Sequence, residues 1–342
     1  MNGRDRIINA LELREGDAVP VFEWFIHEGV ARQAVGSDNI LDIVERLDLD
    51  AINVRADYTK QKIDAETFTD EWGSTRKLTG DAIAALTSSP IKSIADHKAY
   101  TFPDPFAPHR LATLEKTMKR MGDTRAVVFN LRDGFSDMRD LLGYENAMMD
   151  MLLEPDHFKD LLKRVAEYNL AVARLAVERF GVQVIATTDD VANADGMLIR
   201  PENYFEVLGP AFREIIGGYK ELGCYVIKHC DGNIDAVVDF WIDCGIDCLD
   251  PIDPGAGYDL GPMKQKYGQQ VALKGNVDCT GNLCDGTPEQ VAQEVRDCIR
   301  KAARGGGYIL SSSNTIHSGV KPENLLAMVE AARKYGKYPI QA

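Results

Sequence analysis

Hydrophobic positions follow two periods along the chain. Short apolar runs with strand character fall at 19–26, 50–54, 126–130, 182–187, 224–229, 247–250, 271–276 and 307–311. Between them, apolar residues recur every three or four positions over 40–47, 136–153, 155–180, 201–222, 234–244, 288–303 and 322–335, the spacing of helices with one buried face. Strand and helix taking turns predicts an α/β protein with a parallel sheet, and eight such repeats predict a closed (β/α)8 TIM barrel. A doubly wound open sheet is the second architecture this alternation allows. Pro155, Pro201, Pro288 and Pro322 each stand where a first-turn proline costs no hydrogen bond, and each is followed by an acid that suits the helix dipole.

The interval 60–110 breaks the alternation. Turn signals at Trp72-Gly73-Ser74, Thr79-Gly80-Asp81 and Phe102-Pro103-Asp104-Pro105 flank short β-like pieces, which predicts an insertion after the second strand, a small β-hairpin over the barrel mouth. No linker or repeat divides the chain, so residues 1–342 are expected to form one domain.

Composition narrows the partners. Lys+Arg 39 against Asp+Glu 53 leaves a formal charge of −14, which repels nucleic acid and anionic membrane surfaces. Seven cysteines, an odd number in a long chain, fit reduced thiols in a cytoplasmic protein better than a disulfide framework. No run approaches the roughly 20 apolar residues of a membrane span.

In a barrel of this kind chemistry sits at the carboxyl ends of the strands. Those positions are polar throughout: Glu23 and His27, Arg55 and Asp57, Asn130 with Arg132 and Asp133, Asp189 and Asp190. The later strands end in His229 with Asp231, Asp250, Asn276 with Cys279, and Asn314 followed by His317. Taken singly, each is an ordinary cap or surface charge; their shared face is what points to a site. His229, Asp250 and Cys279 end three successive strands, and an imidazole, a carboxylate and a thiolate with a fourth position open are how catalytic zinc is held. Asp231 is the alternative ligand, and a hydrogen-bonded network without metal is the other reading of the same residues. Cys244, Cys248 and Cys298 read as buried inert thiols.

The runs Lys228-His229-Cys230-Asp231-Gly232-Asn233, Gly275-Asn276-Val277-Asp278-Cys279, Gly286-Thr287-Pro288-Glu289-Gln290-Val291 and Tyr308-Ile309-Leu310-Ser311, leading to Pro322-Glu323-Asn324-Leu325, resemble the uroporphyrinogen decarboxylase superfamily over most of 180–335. The resemblance implies a TIM barrel and one of two chemistries: decarboxylation of a porphyrinogen without cofactor, or zinc-assisted methyl transfer involving a corrinoid on a partner protein. Decarboxylases of the family share an Arg-Gln-Ala-Gly-Arg type segment near the amino terminus. Here the corresponding stretch, 19–29, holds Glu23 and Glu28 and no arginine between Arg14 and Arg32, and would repel a substrate with many carboxylates.

The methyltransferase branch resembles His-x-Cys with a later cysteine. His229 matches its first ligand, while Asp231 and Asn314 stand where the two thiolates would be. Fewer thiolates suit an oxygen or nitrogen donor. The expected reaction is therefore that of a corrinoid O-demethylase: methyl transfer from a small methyl ether to the cobalt of a corrinoid protein. Asp190 and His317 are the candidate catalytic acids. Glu23, His27, Asp57, Asn130, Arg132, Asn276 and Asn314 are the candidate substrate contacts, with Arg132 and Asn130 anchoring a carboxylate or hydroxyl of the donor. A non-catalytic tetrapyrrole- or corrinoid-binding protein is the reading from a different class.

Overall fold

The structure is a computed structural model that describes residues 1–79 and 84–341. Seven parallel strands form its central sheet: β1 (Ala51–Arg55), β2 (Ala126–Leu131), β3 (Val184–Thr188), β4 (Tyr225–His229), β5 (Cys248–Asp250), β6 (Ala272–Val277) and β7 (Tyr308–Ser312). They lie side by side in chain order. A doubly wound sheet requires that order to reverse, so the open-sheet alternative is excluded.

The segment expected as the eighth strand, 19–26, is not a regular strand. It meets the last strand through a single bridge, Val21 to Leu310, and the start of the first through a backbone hydrogen bond from Asp50. Leu310 N donates to Pro20 O at 2.9 Å and Phe22 N to Leu310 O at 3.1 Å, while Asp50 N donates to Val21 O at 2.9 Å. Pro20 has no N–H to give, which limits how far a ladder can continue here. The sheet is thus curled, its first and last strands joined through this segment.

Strand alternation then divides the core in two. Ala51, Val128, Val184, Ala186, Ile227, Cys248, Ala272 and Ile309 pack together with Phe22 and Trp24, and the amino-terminal helix Gly3–Leu11 adds Ile7, Ala10 and Leu11 to this inner cluster. The remaining strand positions face the helices. The inner face, followed toward the carboxyl ends, arrives at Arg55, Asn130, Thr188, His229 and Asp250, because side chains two apart on a strand share a face.

The helices follow the expected periods with local breaks. Helices Pro155–Phe180 and Pro322–Tyr335 match their expected spans. The stretch 136–153 is two helices, Phe135–Leu142 and Tyr144–Leu153, broken at Gly143, whose φ of +85° is outside the helical region. The stretch 201–222 contains a π-helical turn at Tyr204–Leu208.

The insertion holds a four-stranded antiparallel sheet rather than one hairpin: Lys60–Lys62, Thr67–Asp70, Thr75–Lys77 and Ala85–Ser88. Part of the turn expected at Thr79-Gly80-Asp81 lies outside the described residues. Among the described residues, no helix is long and apolar enough to cross a membrane.

Candidate active site

Three groups of polar side chains occupy the carboxyl end of the barrel. The first is centred on His229, the last residue of β4. Its Nδ1 lies 2.6 Å from Asp250 Oδ2, and its Nε2 lies 3.5 Å from Asp231 Oδ1 and 3.9 Å from Asp190 Oδ1. One ligand atom each from Asp190, His229 and Asp231 falls within 4.8 Å of the other two. Asp231 Oδ2 accepts from Asn314 Nδ2 at 2.6 Å, whereas its Oδ1 is buried with no hydrogen-bond partner.

Behind the ring, Asp250 is fully buried and accepts from Lys274 Nζ at 2.7 Å and from Trp24 Nε1. Trp24 also packs edge-on against the His229 ring, with centroids 5.6 Å apart. Burial opposes the ionised form of Asp250, but Lys274 and His229 outweigh it and hold its pKa below the usual carboxylate range. Burial likewise opposes the imidazolium of His229, and the bond to Asp250 together with the charges of Asp231 and Asp190 raises its pKa regardless. Asp231 is pushed up to about 6, chiefly by burial.

The loop after β4 sets this geometry. Gly232 has a φ of +88°, and a Cβ there would stand 2.4 Å from the backbone of Asn193. Only glycine lets the chain turn this closely while presenting Asp231 toward His229.

The second group lines a cavity of about 270 Å³ between the strand ends and the inserted sheet. Its lining includes Arg55, Tyr58, Asn130, Arg132 and Thr188 from the strand ends and the segments after them, Lys60, Phe68, Asp70, Trp72 and Arg76 from the insertion, and Asp137 and Asp140 from helix Phe135–Leu142. Arg132, expected to hold a substrate carboxylate, is already paired with Asp137 at 3.2 Å and Asp140 at 2.7 Å. Arg76 is paired with Asp70 and Asp140. Arg55 has no hydrogen bond or ion pair among the described residues. Its side chain is exposed to the cavity, and partial desolvation there, with Arg132 nearby, lowers its pKa to about 10. Asn130 accepts from Thr188 Oγ1 at 3.1 Å, and its buried Nδ2 has no partner.

The third group joins Cys279, Cys284 and His317. Cys279 is buried, accepts from Ser313 Oγ at 3.3 Å, and has its pKa raised by burial. His317 Nε2 lies 2.9 Å from Cys279 O and 3.6 Å from Cys284 Sγ. The carboxylates grouped around His229 Nε2 are therefore Asp190 and Asp231; Asp250 sits on the other ring nitrogen, and Cys279 lies in a separate group.

The remaining sequence candidates have local partners. His27 caps helix Glu28–Val35 by accepting from Gly29 N. Both oxygens of Asp57 accept from Thr113, at the start of helix Ala112–Met121. Asn276 Nδ2 donates to Ile252 O at 2.6 Å. Glu23 is buried, with Ser312 N and Oγ donating to its two oxygens at 2.6 and 2.7 Å. Sequence reasoning noted Arg55 at its strand end but gave it no role; that Arg132 is neutralised and Arg55 is not depends on neighbours far away in the chain.

Comparison with known proteins adds the following. The family described as uroporphyrinogen decarboxylase (URO-D) matches residues 41–335. The methylated-thiol–coenzyme M methyltransferase of Methanosarcina mazei is 25% identical over 227 residues, 66% of this chain and 57% of that protein. The uroporphyrinogen decarboxylase of Methylococcus capsulatus is 32% identical over 77 residues, 22% of this chain and 21% of that protein. The matches thus span less than two thirds of these relatives' own lengths. A solved structure, a methyltransferase from Methanosarcina mazei, superposes with a TM-score of 0.77 at 18% identity, covering 98% of this chain and 99% of that one, and so shares the fold.

Proposed function

Since this chain belongs to the uroporphyrinogen decarboxylase family, we propose that, within the family, it is a methyltransferase moving a methyl group from a small methyl ether to the cobalt of a corrinoid on a partner protein. The observation that carries this reading is the Asp190, His229 and Asp231 group at the end of β4, next in register to Thr188, which lines a small, aromatic-walled cavity. About 270 Å³ is just below the ~300–1,000 Å³ typical of ligand pockets, which suits a small donor. The name of the Methanosarcina mazei relative supports methyl transfer, and the absence of arginine between Arg14 and Arg32 argues against a porphyrinogen.

The donor set fits a divalent cation such as zinc. Asp231 Oδ1 is buried without a hydrogen bond, and two carboxylates and an imidazole converge within 4.8 Å of one another. A cation held there would draw electron density from the ether oxygen and stabilise the charge left on it. The protein's own groups position. Asp250 fixes the ring of His229, with Lys274 holding Asp250 in turn, and Asn314 fixes the carboxylate of Asp231. Tyr58, Phe68 and Trp72 supply apolar surface for the body of the donor. The C–O bond breaks with its electron pair staying on oxygen, which takes up a proton, and the methyl group passes to the acceptor. Since the acceptor provides the attacking pair, the site needs orientation and leaving-group stabilisation and no nucleophile of its own.

The test is to incubate the protein with zinc, a reduced corrinoid protein and a panel of methoxyaromatics, and to follow the demethylated product by chromatography. Formation of a phenol that requires both the corrinoid protein and His229 supports the reading. Release of carbon dioxide from uroporphyrinogen, with no demethylation of any donor, overturns it.

A further inference from the structure

The cavity between the strand ends and the inserted sheet holds donors that nothing in the protein satisfies. Arg55 and Asn130 end β1 and β2 as direct partners in the parallel register, so their side chains stand on the same face. The guanidinium of Arg55, exposed to the cavity, has no acceptor among the described residues, and the buried Nδ2 of Asn130 has none either. The neighbouring arginines are spent on carboxylates, Arg132 on Asp137 and Asp140 and Arg76 on Asp70 and Asp140, while Lys60 Nζ lies 4.7 Å over the Phe68 ring. Arg55, with Lys60, is thus a surplus cation at the cavity of a protein of net charge −14. A partly desolvated cation and a buried N–H left unpaired each cost free energy that a ligand oxygen would recover.

We infer that Arg55 and Asn130 form a carboxylate-binding subsite, and that this cavity takes a small monoanionic ligand with a planar apolar body. Arg55 supplies the fork of N–H donors that a carboxylate matches, and Asn130 Nδ2 supplies one more donor beside it. Tyr58, Phe68 and Trp72 line the same cavity and accommodate the planar part. Thr188, which also lines the cavity, pairs in register with His229 on the next strand. The Thr188 side of the cavity is therefore the side toward β4, the strand that ends in His229. The inference deepens the methyl-ether reading by naming the donor's class, an aromatic ether bearing one carboxylate. It assigns the anchoring to Arg55 in place of Arg132.

Binding without any corrinoid separates this claim from the reaction. Calorimetric titration of the full chain with 4-methoxybenzoate and with 4-methoxybenzamide compares an anion with a neutral ligand of the same shape. The wild type is expected to bind the acid at least about tenfold more tightly than the amide, the range of a charge-assisted hydrogen bond. Arg55→Gln removes that preference and leaves amide affinity within about twofold, and Asn130→Asp, which sets a like charge against the ligand, weakens the acid by at least about tenfold. Arg55→Gln is expected to melt no lower than wild type, since it removes an unpaired cation near Arg132. Equal affinity for acid and amide, no binding of either at about 10 mM, or a preference that survives Arg55→Gln overturns the subsite. Preference for the acid with no methyl transfer supports the subsite and counts against the reaction alone.

Discussion

The Nδ1 atom of His229 lies 2.6 Å from Oδ2 of Asp250. This bond turns Nε2 toward Asp190 and Asp231 and ties the site to the barrel interior, because Asp250 is also the partner of the buried Lys274. Replacing Asp250 by Ala leaves Lys274 buried without its carboxylate. Removal of one partner from a buried pair costs about 3–5 kcal/mol, and equilibrium unfolding in urea should show a loss of that order. A loss below about 1 kcal/mol would mean that the pair does not act as described.

Cation binding distinguishes the nitrogen and oxygen donors around His229 from a thiolate set. Zinc titrated into the metal-free protein should bind with wild-type affinity in Cys279→Ser and fail to bind in His229→Ala and Asp231→Asn. Asp250→Asn, which alters only the ring's support, should weaken binding by about 10–100-fold. Loss of zinc in Cys279→Ser would return the thiolate to the ligand set.

Gly232 is where the loop geometry can be broken without touching a charged group. Its φ of +88° and the 2.4 Å approach that a Cβ would make to Asn193 predict that Gly232→Ala strains the loop by about 1–3 kcal/mol. The expected signs are a lower melting temperature together with weaker zinc binding. An unchanged melting temperature would show that the backbone can relax around the extra methyl group.

Glu23 makes stability depend on pH. Burial pushes its pKa up to about 7, against the charge of Lys274 and the Ser312 donors, which favour ionisation. The unfolded chain titrates near the ordinary glutamate value of about 4.3. Between these two values the folded protein holds the extra proton, so this residue's contribution falls as pH rises through the window and is constant above it. The cost at pH 8 is roughly 2–4 kcal/mol, which Glu23→Gln should largely remove. Urea unfolding of both proteins at pH 5 and pH 8 checks this: the variant should gain stability relative to wild type at pH 8 more than at pH 5. An equal difference at the two values would contradict it.

Seven of the strands were legible because a parallel strand buried on both faces reads as an apolar run, as in Ala126–Leu131. The segment 19–26 reads the same way, yet its pairing is limited to single bridges, a tertiary outcome that its own residues do not encode. His229, and Asp231 as an alternative, were legible as candidates from their place after a strand. Their grouping with Asp190, and the placing of Cys279 in another group, depend on loop paths such as the turn at Gly232. The buried lysines show the limit most clearly. Lys228 and Lys274 look like ordinary polar positions until Asp133 and Asp250 are seen beside them at 2.7 Å. Arg55 and Arg132 are the same residue type at neighbouring strand ends, and the positions of Asp137 and Asp140 leave one paired and the other without an ion pair.

The measurement closest to the central claim is the absorbance of a reduced corrinoid protein mixed with this protein, zinc and 4-methoxybenzoate. The account predicts conversion to the methyl-cobalt spectrum with an equal amount of 4-hydroxybenzoate formed, and loss of both in His229→Ala. An unchanged corrinoid spectrum with every methoxyaromatic offered, under conditions where the donor is shown to bind, would contradict it.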